Sequence, residues 1–144
     1  MPHLRPILLV EDDSVDVMAV QRALKELHVT NTLVYAANGE EALAYLRGPD
    51  NQMPCVILLD LNMPKMNGLE FLRIVKADAA LKNIPVVVVT TSGEQQDVAT
   101  SFEVGAATYI LKCSNYGEFR EKMVVIKSYL AGVRPAAALE SAPW

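Results

Sequence analysis

Cysteine is scarce in this chain, which has only Cys55 and Cys113. That excludes the disulfide framework of a small secreted domain, and both thiols read as small hydrophobes in a reducing cytoplasm. No apolar run approaches bilayer length, Pro85 to Val89 being typical of the longest. Met1-Pro2-His3-Leu4-Arg5 has neither the apolar stretch nor the small-residue cleavage site of a signal peptide. Lysine and arginine are scattered, 13 against 17 acids, and the net charge of -4 gives no footing for nucleic acid. Also missing is a glycine-rich turn after the first apolar run, which a dinucleotide-binding enzyme would need. Glu11-Asp12-Asp13-Ser14 stands there instead and would repel a pyrophosphate.

What is present suits one domain with a single core: 144 residues, 51% of them hydrophobic. Strand-like and helix-like segments alternate five times. The strands centre on Ile7–Val10, Thr32–Ala36, Val56–Leu59, Val86–Val89 and Thr108–Leu111. Short unbroken Val/Ile/Leu runs read as strands buried on both faces of a parallel sheet. The first helix opens near Ser14 with Val17, Val20, Leu24 and Leu27 on one face, and the second follows Asn38-Gly39 and stops at Gly48-Pro49. The third, past Asn67-Gly68, buries Leu69, Leu72 and Val75. The fourth has Val98 and Phe102 as anchors and Gly105 as its cap, and the fifth carries Phe119, Met123, Ile126 and Leu130 as a stripe. Regular alternation of this kind predicts an α/β, flavodoxin-like (βα)5 doubly wound sheet with strand order 2-1-3-4-5.

Two of these strands end in acid. Pro6-Ile7-Leu8-Leu9-Val10 stops at Glu11-Asp12-Asp13, and Cys55-Val56-Ile57-Leu58-Leu59 stops at Asp60. In the predicted order these are strands one and three, flanking the switch point where open α/β sheets bind ligands. Carboxylates converging there repel one another, and a hard cation such as Mg2+ relieves the repulsion. Asp13, where the chain turns into the first helix, is better suited to capping it.

Four motifs in this order, each at a predicted strand end, carry a family resemblance: Glu11-Asp12-Asp13; Asp60-Leu61-Asn62-Met63-Pro64 with Asn67-Gly68; Thr90-Thr91-Ser92; and Tyr109-Ile110-Leu111-Lys112 after Gly105-Ala106. The chain resembles the receiver domain of two-component response regulators over about residues 5–131, leaving 132–144 as a tail. Leu59 to Gly68 and the Arg22-Ala23-Leu24-Lys25-Glu26 helix further resemble the stand-alone regulators that accompany bacterial phytochromes.

The resemblance implies a phosphoacceptor signalling protein, not an enzyme acting on a separate substrate. Asp60 would take a phosphoryl group from a sensor histidine kinase, with a bacteriophytochrome as the candidate donor. Glu11, Asp12 and Asp60 would hold Mg2+, joined by the backbone carbonyl of Asn62. Lys112 and Thr90 would contact the phosphoryl group, and Tyr109 would turn inward as Thr90 is drawn toward it. The family's Met-Pro and Asn-Gly turns shape the loop over the pocket, where Gly68 or Asn67 can take left-handed geometry. One position departs: a proline normally follows the lysine through a cis bond, and here it is Cys113, which leaves Lys112–Cys113 either trans or strained.

Two rival readings remain. An aspartate-nucleophile phosphatase would need a second acid two residues beyond Asp60, but Asn62 stands there and cannot protonate a leaving group. A degenerate receiver used only for docking is opposed by the intact Asp60, Thr90 and Lys112. A cytoplasmic homodimer is also expected, because Val125 and Tyr129 form an i, i+4 apolar pair beside the core stripe of the fifth helix.

Overall fold

The computed structural model describes residues 4–63, 66–113 and 115–130. The expected tail at 132–144 lies outside the described residues. Five strands alternate with helices: β1 Ile7–Val10, α1 Ser14–Glu26, β2 Leu33–Ala36, α2 Gly39–Arg47, β3 Val56–Leu59, α3 Gly68–Ala77, β4 Val86–Thr90, α4 Gln95–Val104, β5 Thr108–Leu111 and α5 Tyr116–Met123. A single 3-10 turn, Val124–Ile126, then leads to a last helical turn, α6 Lys127–Leu130. The sheet is parallel throughout and ordered β2-β1-β3-β4-β5, the predicted topology.

Side-chain alternation divides the core into two layers. Leu8, Val10, Ile57, Leu59, Val86 and Val88 face one side with Ala42, Leu46, Phe71, Leu72 and Val75 from α2 and α3. Ile7, Leu9, Val56, Leu58, Val87 and Val89 face the other with Val20, Leu24, Phe119 and Met123 from α1 and α5. β1 and β3 are buried on both faces, which is why their sequences show no polar alternation. Helix entries are fixed by short polar caps. Asp13 accepts from the Val15 and Asp16 amides, Asn38 from Glu41, Asn67 from Glu70 and Asn115 from Glu118. Gly105, at φ 127, ends α4 in the left-handed region that favours glycine.

Three local expectations are corrected. Phe102 is 48% exposed and Val98 only half-buried, so neither anchors α4 as expected. The buried residue of that helix is Ser101, whose hydroxyl donates to the Asp97 carbonyl at 2.7 Å. Tyr129 is buried, and its hydroxyl shares a 2.8 Å hydrogen bond with Thr108 Oγ1 on β5. The 3-10 turn advances the buried stripe three residues at a time, through Met123, Ile126 and Tyr129, leaving Leu130 only half-buried. Val125 remains exposed, so the expected surface pair does not exist. Finally, Gly68 does not adopt positive φ; its role is close approach, since a Cβ there would sit 2.6 Å from Leu61 Cα.

Candidate functional site

The strand ends place the acids by continuing the backbone ladder one residue past the sheet. Val10 pairs with Leu59 in register, the Asp60 amide donates to the Val10 carbonyl at 3.0 Å, and the Glu11 amide to Ala36 at 3.0 Å. Glu11 and Asp60 are consequently side by side and buried, whereas Asp12 faces solvent. Carboxylate oxygens of Glu11, Asp12 and Asp60 all lie within 4.8 Å of one another. Three oxygen donors so close form a cluster suited to a hard divalent cation.

Lys112 enters from the opposite edge. Its amide bonds the Thr90 carbonyl at 2.7 Å, fixing the end of β5 against β4. The side chain is long enough to reach back to β1, where Nζ donates to Glu11 Oε1 at 2.5 Å. It also donates to Asp16 Oδ2 at 2.8 Å and stands 3.8 Å from Asp60 Oδ2. No cis peptide occurs among the described residues, so Lys112–Cys113 is trans, and the lysine reaches the acids without the family's proline. Cys113 is half-buried, its thiol turned to the Asn115 carbonyl at 3.3 Å.

Charge and burial oppose each other here. Burial pushes the Glu11 carboxyl up to about 7, reinforced by the charge of Asp60, while the bond from Lys112 pulls it back. For Lys112, burial disfavours the ammonium, but the bonds to Asp16 and Glu11 outweigh it and hold its pKa above the usual lysine value. The lysine is thus a fixed cation inside an acidic pocket.

The remaining candidates sit around this centre. Asn62 is exposed, and its amide donates to Asp60 Oδ1 at 3.4 Å, which orients the carboxylate. Thr90 is fully buried, and its hydroxyl accepts from the Ser92 amide at 3.4 Å. Tyr109 is half-buried and packed against the core, its hydroxyl donating to the Ser92 carbonyl at 2.6 Å in the β4–α4 loop. That loop is tied a second time, Ser92 Oγ donating to Asp97 Oδ2 at 2.5 Å. Asp13 caps α1, as expected. Sequence reasoning missed Asp16 and Asp97. The signal for Asp16 was available: α1 opens two residues past Asp12, so an acid in its first turn lies near the strand ends.

A doubly wound sheet whose switch point gathers acids from β1 and β3 and a lysine from β5 defines the receiver class of α/β signalling modules. Residues 7–124 match the family model of the response regulator receiver domain, and the chain belongs to that family. The response regulator Rcp1 of Synechocystis sp. is 38% identical over 127 residues, covering 85% of this chain and 86% of its own length. A phosphorylated cyanobacterial phytochrome response regulator, RcpA, is 37% identical with TM-score 0.80, covering 88% of this chain and 94% of that one. The Mn2+-bound form of response regulator Rcp1 is 38% identical with TM-score 0.79, covering 87% and 93%. The fold, the family and the function as a two-component receiver are therefore those expected.

Proposed function

We propose that Asp60 is the phosphoacceptor and that Mg2+, held by Glu11, Asp12, Asp60 and the Asn62 carbonyl, supports the transfer. The observation that carries this reading is the buried Asp60 carboxylate, clustered with those of Glu11 and Asp12 and 3.8 Å from the Lys112 ammonium. A carboxylate oxygen of Asp60 attacks the phosphorus of a phosphohistidine. The new O–P bond forms as the P–N bond breaks, and the electron pair stays on the imidazole nitrogen, which takes a proton from solvent. When bound, the cation offsets the charge of the carboxylates and the phosphoryl oxygens.

Lys112 supplies the protein's own positive charge beside these carboxylates. Thr90 donates its hydroxyl to a phosphoryl oxygen, giving up its contact with the Ser92 amide. Tyr109, half-buried and bonded to the Ser92 carbonyl, moves with the β4–α4 loop as Thr90 is drawn toward the phosphate. The β4–α4 loop and α4 are the segments that change. An acyl phosphate is cleaved by hydroxylamine, whereas a serine or threonine phosphate is not. Label taken from a small phosphodonor should therefore be lost on hydroxylamine treatment, and resistant label overturns the assignment to a carboxylate.

Asp12 tests the metal's part. Asp12→Ala should weaken Mg2+ binding at least tenfold and leave the metal-free protein melting no lower than wild type, because a like charge has left an acidic cluster. A metal-free variant that melts clearly lower would show that the acids are structurally paired instead.

The partners proposed are a sensor histidine kinase, with a bacteriophytochrome as the candidate, and a second copy of the chain. The RcpA and Rcp1 likenesses support the first. Exposed Phe102, Leu111, Val124 and Val125 support the second, in place of the buried Tyr129. Val125→Glu should weaken self-association in sedimentation without loss of fold. A wild type that stays monomeric with and without phosphodonor would remove the homodimer. The cytoplasm is the proposed compartment, supported by two free thiols and by the lack of any membrane-spanning helix among the described residues.

A further inference from the structure

The Lys112 ammonium has two short bonds, and neither is to Asp60. One goes to Glu11 and one, at 2.8 Å, to Asp16 Oδ2 on the first turn of α1. The Asp60 carboxylate is 3.8 Å away, beyond hydrogen-bond reach. Two of the ammonium's three N–H donors are taken, and drawing Nζ toward a phosphoryl oxygen on Asp60 stretches one of these bonds.

Burial decides which one. The Glu11 side chain is 2% exposed and, as a ligand of the cation in the proposed site, keeps a positive charge beside it in both states, so its contact does not distinguish them. Asp16 is 33% exposed, so solvent takes over its hydrogen bond when the lysine leaves. The Asp16 contact is therefore made in the resting state and given up in the phosphorylated one. Only such a differential contact shifts a two-state equilibrium.

We propose that Asp16 is a positioning residue that parks Lys112 away from Asp60, competing with the phosphoryl group for the ammonium and so favouring the unphosphorylated state. This rests on the reading of Asp60 as phosphoacceptor. Asp16 touches neither metal nor phosphoryl group in this scheme; it acts through Lys112. The first turn of α1 thereby sets how readily the site charges, independently of the metal ligands.

The test is the steady-state ratio of phosphorylated to free protein at one subsaturating concentration of acetyl phosphate with Mg2+, read by intact mass. Asp16→Asn keeps the side-chain shape and should raise that ratio about three- to tenfold, as expected on losing one charge-assisted hydrogen bond at a partly exposed site. Asp16→Glu keeps the charge and should stay within twofold of wild type. Asp13→Asn removes a charge from the same stretch while remaining a competent helix cap. It should also stay within twofold, because Asp13 bonds the Val15 and Asp16 amides and not Lys112. An unchanged or lowered ratio in Asp16→Asn overturns the proposal, as does an equal rise in Asp13→Asn, which would mark general relief of repulsion. A wild type that takes up no phosphoryl group overturns the underlying phosphoacceptor reading, and the proposal with it.

Discussion

Asp60→Asn is expected to abolish phosphoryl uptake completely. The amide has nearly the volume of the carboxylate, and its oxygen can still accept the bond now made by the Asn62 amide to Asp60 Oδ1. What disappears is the anionic oxygen that forms the acyl phosphate. Neither remaining acid replaces it. Glu11 is buried and held by Lys112, and Asp12 points to solvent from the end of β1. The variant should also bind divalent cations more weakly, having lost one of three clustered carboxylates. Labelling with a small phosphodonor, followed by hydroxylamine release, checks the loss. Persistent label of wild-type stoichiometry would move the nucleophile to another residue.

The second large effect falls on a residue with no side chain. Gly68 opens α3, and its amide bonds the Leu61 carbonyl at 3.0 Å, drawing the helix start onto the chain just past Asp60. A Cβ there would meet the Asp60 carbonyl oxygen and lie 2.6 Å from Leu61 Cα. Both obstacles are backbone, so no rotamer change relieves them. Gly68→Ala should cost about 2–3 kcal/mol in urea unfolding, in the range for forced overpacking. It should slow phosphoryl uptake as well, because the segment that must yield is the one that carries Asp60. A loss under about 0.5 kcal/mol, within the scatter of ordinary surface changes, would show that α3 can move back freely.

Both predictions separate what was legible in the sequence from what was not. The sheet order and the placement of Glu11, Asp12 and Asp60 were readable because unbroken apolar runs mark buried parallel strands, and their ends mark the pocket; Lys112, after the half-exposed β5, was singled out by the family resemblance. Helix caps at Asp13 and Asn38, and the glycine stop at Gly105, follow from local chemistry in the same way. Misreadings arose where tertiary packing decided. Helical spacing placed Tyr129 beside the stripe, but a 3-10 turn at Val124–Ile126 turned it inward onto Thr108. Phe102 is apolar yet faces solvent, close to Tyr109 with ring centroids 6.4 Å apart. Gly68 read as a turn glycine, whereas its necessity comes from α3 pressing on the Asp60–Leu61 backbone. Asp16 went unread: its place in the first turn of α1 near the strand ends was legible, but not that a lysine 96 positions later ends against it.

The central claim is that one carboxylate takes one phosphoryl group with a divalent cation in attendance. The most direct measurement is the intact mass of the wild-type protein after incubation with a small phosphodonor, in parallel with Mg2+ and with EDTA. The account predicts a single added phosphoryl group per chain with Mg2+ and an unmodified mass with EDTA. Equal modification in both samples, or none in either, would contradict it.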